Sequence, residues 1–563
     1  MSLENKISTE QGFEHQPDAI VCAEADFLRQ PLSDELLASL GDVATGSLLE
    51  AGTEQSSNPE DAYNIEHDAD TYEVHVTSCV TLADYERITP TADMERLKAY
   101  AETMQGKELL FVNATASGGG VAIMRAPAIH LFNLLGVKAR WYALKPGAAD
   151  EKQFFDVTKK KFHNVLQAVS APEVRLNDED KAIYSKVIDA NAEVLREPLR
   201  TADVIVIDDW QPAGLIPHLK GYDEPQADGS TVYHLGINPT AKILFRDHIQ
   251  TEGQLMSTPG TPQHTTWDFI WRQNRVNEAD VFVTHPMDEF VPPDVPENKV
   301  IFMPATGDLL DDLNRPLTVA EKREGIAFIN QQLAANQGQK PLDLSRPYIV
   351  LIARFDPSKG MSQGLAAYAR ARREDLRAKG VSEEDMPQFV IVGNGSIDDP
   401  DGLPELQKMM DLRAEYDDIK DDIKIARVPH NDRAINALLK GAKLALQPSI
   451  KEGFESRVTD AILQGVPVIG SNRGGIPLQI VEGESGHVVD PYDTAKWTEL
   501  ITELLTDTAR YNALKKRTAE LAITNNYRFT TIPNALRWLG LSIEVLSNPN
   551  IQGNRRWVED LAA

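Results

Sequence analysis

The feature that most constrains this chain is a recurrence: short apolar runs closed by polar residues, each followed by a stretch of helical character. In the first half the runs are KELLFVNA, VKARWYAL, ADVIVIDD from Ala202 to Asp209, AKILFRDH from Ala241 to His248 and ADVFVTH from Ala279 to His285. A second series opens with RPYIVLIARFDPSKG and continues through PQFVIVGNG, DDIKIARV, KLALQPS and VPVIGS. Short apolar strands alternating with helices build a parallel, doubly wound sheet, and such sheets bind ligands beyond the carboxyl ends of their strands. The expectation is therefore an α/β chain of two Rossmann-like domains facing a central cleft, with its chemistry in the polar residues that close the strands.

Length supports the division, because hydrophobic cores stop growing at roughly 250 to 300 residues and the chain has 563. Residues 1–80 are acidic and largely irregular and are expected to form a partly mobile N-terminal extension. Residues 81–320 form the first domain, 321–525 the second, and 526–563 an amphipathic, aromatic helical segment that packs back on the first. The formal charge is 57 − 85 = −28, which repels phosphate backbones and argues against nucleic acid and anionic membranes as partners. Cys22 and Cys79 are far apart and outside any metal-binding spacing, so neither a disulfide framework nor a zinc site is expected. With no apolar leader and no long apolar run, the protein is expected in the cytoplasm, acting on small molecules. A homodimer is compatible with the chain.

Three motifs carry candidate chemistry. Gly118, Gly119 and Gly120 follow a strand and precede a helical pattern, so the backbone there can approach an oxygen-rich ligand at a helix N-terminus. The spacing is not that of a dinucleotide fingerprint, and glycines also serve ordinary tight turns. In ARFDPSKG, Arg354 and Lys359 end the first strand of the second domain; a planar fork and a mobile point charge together suit a phosphate. In PSIKEGFESRVTD, Glu452 stands at a strand-to-helix turn and Asp460 follows eight positions later, a spacing that can turn both carboxylates toward a cleft. His163, His248 and His285, with Asp208 and Asp209, close first-domain strands or adjoining helices. Alone, each fits a satisfied structural residue equally well; their convergence on one rim favours a site.

Arg354, Lys359 and Glu452, in this order and setting, resemble the donor site of retaining glycosyltransferases with the GT-B fold. The strings SGGGVAIMRAP, FHNVLQ, VIDDWQPAGLIP, FRDHIQ, WDFIW, ADVFVTHP, FVPPDVP, ARFDPSKG, DDPDG, INALL, EGFE and GGIPLQI, taken in order, are similar to the trehalose phosphorylases and trehalose synthases. The resemblance implies retaining glucosyl transfer without a cofactor or metal. It places Arg354, Lys359, Gly118–Gly120, Gly453, Phe454, Glu455 and Asp460 around the phosphate or donor. His248 and Arg246 fall beside the reacting glucosyl unit, Glu452 on its hydroxyls, and His163, Asp208 and Asp209 on the acceptor side. NALRWLGL, RRWVEDLA and EGFES, with Glu455 and Arg457, look like the phosphorylase branch. Asp460 departs from the family's usual Glu, which in nucleotide-dependent relatives meets a ribose; the shorter carboxylate favours phosphate. The expected reaction is trehalose plus phosphate to α-glucose 1-phosphate plus glucose. The competing readings are transfer from UDP-glucose or ADP-glucose, and a sugar-binding protein without turnover.

Overall fold

The computed structural model describes residues 62–116, 120–147, 149–225, 230–394 and 402–561. Two parallel sheets dominate it. After an antiparallel hairpin, β1 (Tyr63–His67) and β2 (Val74–Ser78), the first sheet is built from β3 (Glu108–Asn113), β4 (Lys138–Ala143), β5 (Val204–Asp208), β8 (Lys242–Arg246), β9 (Val281–Thr284), β10 (Val300–Phe302) and the terminal β17 (Arg556–Trp557), with a second hairpin, β6 (Gly221–Pro225) and β7 (Thr231–Leu235), set apart from it. Its order is β17-β10-β9-β8-β5-β3-β4. The second sheet comprises β11 (Tyr348–Ile352), β12 (Gln388–Asn394), β13 (Ile423–Val428), β14 (Leu444–Gln447), β15 (Val468–Ser471) and β16 (Gly486–Val489), in the order β13-β12-β11-β14-β15-β16.

These strands form where the sequence is apolar without interruption because helices cover both faces. Residues of β3 and β5 divide between two cores, Leu110 and Ile205 on one side, Leu109 and Val204 on the other. The second sheet repeats the arrangement, with Val350 facing one core and Ile349 and Leu351 the other. In each sheet the chain reverses direction at one point. It leaves β3 toward β4 and returns to β5 on the other side; it leaves β11 toward β12 and returns to β14. Such switch points open a crevice at the carboxyl ends of the strands, and the two crevices face one another.

One boundary differs from those expected. Residues 62–80 belong to the first domain: Ala62, Val74 and Val80 lie in its core, and Glu73 bridges Tyr142 at the sheet edge. Alternating polar residues in YNIEH and VHVTS hid that hairpin, since only one of its faces is covered. The rest of the expected extension, residues 1–61, lies outside the described residues. At the other end, the helix Thr531–Ser547 leaves the second domain and crosses the first. Its Trp538 is buried edge-on against Phe111 of β3, with ring centroids 5.3 Å apart, and β17 then adds to the edge of the first sheet beside β10. No helix among the described residues is long and apolar enough to cross a membrane.

Trp538 therefore fastens the last helix to the first sheet. Trp538→Ala is expected to lower stability by about 3–5 kcal/mol, the cost of truncating a large buried aromatic. Denaturant unfolding followed by circular dichroism would measure this; a loss below about 1 kcal/mol would show that the crossing helix is not held by that contact.

Candidate active site

The facing crevices form one cleft of about 240 Å³ with walls from both domains. On the first-domain wall, Asp208 at the end of β5 accepts from Arg125 Nη2 at 2.6 Å and pairs with His248 Nε2 at 2.6 Å. Burial alone would raise the Asp208 carboxyl, but the Arg125 guanidinium and the His248 ring hold it well below the usual carboxylate range. Ionised Asp208 can only accept, so the proton of His248 facing it sits on Nε2. Asp209 follows with φ of 90°; its Oδ1 accepts from the Trp210 N–H at 2.9 Å and its Oδ2 lies 3.5 Å from His163 Nε2. Burial pushes that carboxyl up, His163, His248 and the Trp210 N–H together more than compensate, and the net direction is downward.

His163 closes a π-helical stretch, Asp156–His163, that also carries Lys159. Such stretches are rare and recur at functional sites. Here the i→i+5 pattern is steadied by Thr266, whose hydroxyl donates to the Lys161 carbonyl at 3.0 Å.

Arg246 does not line the cleft as expected. Only 1% exposed, it lies behind the wall and donates through Nη2 to His285 Nδ1 at 3.3 Å. Guanidinium nitrogens are donors only, so His285 carries its proton on Nε2, which donates to the His248 carbonyl at 3.3 Å. Burial and the adjacent guanidinium hold His285 neutral, well below the usual imidazole range. Burial likewise pushes Arg246 down to about 10 and the neighbouring Asp247 up to about 7.

The second-domain wall centres on Lys359. Its Nζ donates to Glu452 Oε2 at 2.5 Å and to Glu455 Oε2 at 2.6 Å. Burial would lower the ammonium's pKa, but the two carboxylates hold it above the usual lysine range. One cation cannot fully compensate two buried anions. Burial, with Glu455 adding to it, pushes Glu452 up to about 7 against the pull of Lys359, whereas at Glu455 Lys359 outweighs burial and the net shift is downward. Glu455 also sits at φ of 63° and caps the helix Ser456–Leu463 through the Arg457 N–H. Arg354 lines the cleft, half-buried, above Asp356, which accepts from the Ser358 N–H at 2.8 Å and hydroxyl at 2.7 Å.

The two walls touch. Lys159 donates to Asp356 at 2.7 Å, a buried ion pair between domains, and the Glu452 N–H donates to Gln250 Oε1 at 3.1 Å. Lys451 pairs with Glu252. Phe454 stacks on His285 with centroids 5.5 Å apart. Gly453 is obligatory, since a Cβ there would fall 2.1 Å from the His248 carbonyl oxygen.

Asp460 also departs from expectation. It is 2% exposed and absent from the cleft lining, its oxygens taken by Asn314 Nδ2 at 3.1 Å and Arg457 Nη1 at 2.9 Å; Arg457 is what reaches the cleft. Gly120 begins the helix Gly120–Leu134 on the cleft wall, while Gly118, Gly119 and most of the DDPDG string lie outside the described residues. Arg125, Lys159 and Asp356 are not among the site residues that the motifs indicate. Arg125 sits five residues into the helix that follows the glycines, beyond where a glycine motif draws attention, and Lys159 opens a lysine run that reads as a solvated face. The DPS turn of Asp356 offered a signal, since Asp two residues before Ser marks a local side-chain cap.

Two facing doubly wound domains with a cleft at their switch points constitute the GT-B architecture of glycosyltransferases. The solved sucrose-phosphate synthase of Thermosynechococcus elongatus shares it, with a TM-score of 0.54 at 16% identity over 78% of this chain and 100% of that one. So does an alpha,alpha-trehalose-phosphate synthase (UDP-forming) of Burkholderia xenovorans, with a TM-score of 0.54 at 14% identity over 77% and 99%. The family described as the trehalose synthase N-terminal domain matches residues 111–292, and glycosyl transferases group 1 matches residues 334–521. The chain is 31% identical over 416 residues to the trehalose synthase of Thermococcus litoralis, covering 74% of this chain and 86% of that protein. It is 35% identical over 460 residues to the trehalose phosphorylase of Grifola frondosa, covering 80% of this chain but only 59% of that protein's length. The chain belongs to the trehalose phosphorylase and trehalose synthase group of glycosyltransferases.

Lys359 supplies a test of this wall. Lys359→Ala leaves two buried carboxylates without their cation, which should cost about 3–5 kcal/mol of stability. Burial then raises both carboxyl groups above their unfolded values, so the folded state binds more protons than the unfolded one and the deficit grows as pH rises. Turnover should fall roughly a hundredfold in protein that remains folded. Urea unfolding at acidic and alkaline pH, with parallel kinetics, checks both; a pH-independent deficit would contradict the shared ion pair.

Proposed function

We propose that the protein catalyses reversible phosphorolysis of trehalose with retention of configuration, giving α-glucose 1-phosphate and glucose. The observation that supports phosphate most directly is Arg457. It adds a guanidinium to the wall that carries Arg354, Lys359 and Lys451, and it engages Asp460, so the carboxylate that resemblance would set against a ribose is already occupied. Phosphate held by Arg354 and Lys359 sits beside the anomeric carbon. The bond from that carbon to the departing glucose oxygen breaks, a phosphate oxygen takes the same face, and the proton of hydrogen phosphate passes to the departing oxygen. Preorganised cations stabilise the phosphate as charge shifts. Glu452, fixed by Ser449 and Lys359, binds hydroxyls of the transferred glucosyl unit. His248, oriented by Asp208 and Arg125, lies against that unit, with Arg246 acting from behind through His285. His163 and Asp209 hold the acceptor glucose, and Gly120 on the cleft wall, with Gly118 and Gly119 by resemblance alone, belongs to the phosphate site. Residues 81–320 carry the acceptor and 321–525 the donor, in the cytoplasm.

A second reading, transfer from a nucleoside diphosphate glucose to glucose, draws support from the fuller coverage of the trehalose synthase, 86% against 59% of the phosphorylase. One experiment separates the two. The protein incubated with trehalose and phosphate should release α-glucose 1-phosphate, identified as the α anomer by NMR, while UDP-glucose or ADP-glucose with glucose should give little trehalose. Trehalose formed only from a nucleotide sugar would overturn the phosphorylase reading.

A further inference from the structure

Of the three lysines in the run at 159–161, only Lys159 is buried, at 6% exposure. Lys160 pairs with Asp156 and Lys161 with Asp180, both within the first domain. Lys159 instead crosses to the second domain, where its Nζ donates to Asp356 Oδ2 at 2.7 Å. Burying a cation is costly, and a partner on the opposite wall can hold it only while the two walls touch.

Asp356 in turn orders the segment that carries the cations of the second-domain wall. Its Oδ1 accepts from the Ser358 N–H and hydroxyl, and its carbonyl accepts from the Lys359 N–H at 3.0 Å. The Ser358 carbonyl accepts from the Ile450 N–H at 2.7 Å, and at Gly360, with φ of 62°, a Cβ would collide with the Pro448 carbonyl. The Asp356–Gly360 turn and the loop that bears Glu452 are therefore one packed unit. Asp356 also lies between two cations. Burial would raise its carboxyl, but Lys159 first and Arg354 next hold it below the usual carboxylate range. With Ser358 on one oxygen and Lys159 on the other, both oxygens are bonded before Arg354 is counted. Without Lys159 the buried charge is left to Arg354, and the guanidinium is drawn down to Asp356 and away from the cleft.

We propose that Lys159 is a positioning residue for glucosyl transfer: from the first domain it takes up the charge of Asp356, which keeps Arg354 turned to the donor and sets the turn that carries Lys359. The donor wall is then complete only while the two walls are in contact. The proposal rests on the reading of the second-domain wall as the donor side, and it is the same whether phosphate or a nucleotide leaves the donor.

The test uses the full chain with Lys159→Met, Lys159→Arg, Asp356→Asn and the double variant Lys159→Met/Asp356→Asn, with Arg354→Ala as control. Initial rates are measured with α-glucose 1-phosphate or the nucleotide sugar, whichever the wild type uses, and glucose as acceptor. Lys159→Met should lower kcat/KM for the donor at least about tenfold, with KM for glucose changed by less than about threefold. Lys159→Arg should recover much of the loss. The double variant, relieved of the unpaired buried anion, should exceed Lys159→Met at least about threefold. A merely structural role would lower the melting temperature and the active fraction and leave donor KM unchanged, and a direct contact of Lys159 with the donor would show no recovery in the double variant; either result overturns the proposal. If Lys159→Met does not fold, Lys159→Gln with and without Asp356→Asn gives the same comparison. Arg354→Ala separates the two levels: a normal Lys159→Met beside an impaired Arg354→Ala defeats this proposal alone, whereas intact donor affinity in Arg354→Ala defeats the donor-side reading and the proposal with it. Should the wild type transfer to no sugar, calorimetric binding of inorganic phosphate and of UDP decides instead. Weaker binding to Lys159→Met with recovery in the double variant supports the proposal; equal binding, or no binding of either probe by the wild type, overturns it.

Discussion

The site depends on one close approach. The loop after β14 passes so near the first domain that the backbone of residue 453 lies against the His248 carbonyl, where a Cβ would sit 2.1 Å from its oxygen. Glycine removes that obstacle, and the contacts that build the cleft follow: Phe454 reaches His285, the Glu452 N–H reaches Gln250, and Glu452 and Glu455 converge on Lys359. The same loop is pinned from the other side at Gly474, where φ is 52° and a Cβ would fall 2.1 Å from the Glu452 carbonyl oxygen. Two glycines remote in sequence thus allow a peptide segment to sit between two domains with no side chain as spacer.

Charge is managed locally within that frame. The chain carries a net −28, and its cleft sets Lys159, Arg354, Lys359, Lys451 and Arg457 among the carboxylates of Asp208, Asp209, Asp356, Asp432, Glu452 and Glu455. Lys159 is matched to Asp356, Lys359 to Glu452 and Glu455, and Arg457 to Asp460. A buried cation without an anion would shed its proton or open the structure, so each carboxylate keeps its partner charged and in position. Net charge governs how the surface meets polyanions; it does not report the field inside a cleft whose ion pairs are shielded from salt. An acidic protein can therefore hold buried cations in its cleft beside carboxylates, and burial together with Glu455 pushes the Glu452 carboxyl up against the pull of Lys359.

How much was legible in the sequence follows from what burial does to composition. Strands covered on both faces, such as VIVID of β5 and YIVLI of β11, appear as unbroken apolar runs, and the residues that close them stand on the cleft because parallel strands share one carboxyl edge. That is why Asp208, Asp209, His248, Arg354, Lys359 and Glu452 all reach it. The first hairpin, with a covered and an open face, the second, whose β7 is largely exposed, and β10, with three residues, have no such signature. Asp460 was misplaced by counting helical turns from Glu452, because the helix begins only at Ser456 and Glu455 breaks the path with a positive φ. Arg246 was misplaced because strand-end position fixes which edge a residue occupies and leaves open whether its side chain points into the crevice or beneath it.

Two of the residues with positive φ face the cleft from opposite walls, Asp209 at 90° and Glu455 at 63°. Each conformation costs about 1–3 kcal/mol for a residue with a side chain, and in both the side chain itself offsets the strain. Asp209 accepts from the next N–H while its own N–H donates to the Arg246 carbonyl at 2.9 Å; Glu455 caps its helix and binds Lys359. Glycine would relieve the backbone at either position and discard the carboxylate. The strain is therefore tolerated because the group that creates it also performs the local anchoring, and the carboxylates on the two walls are set by bonds made entirely within the protein. A cleft fixed in this way does not require a ligand to arrange it. The energy of ligand binding then remains available for orienting the reacting atoms.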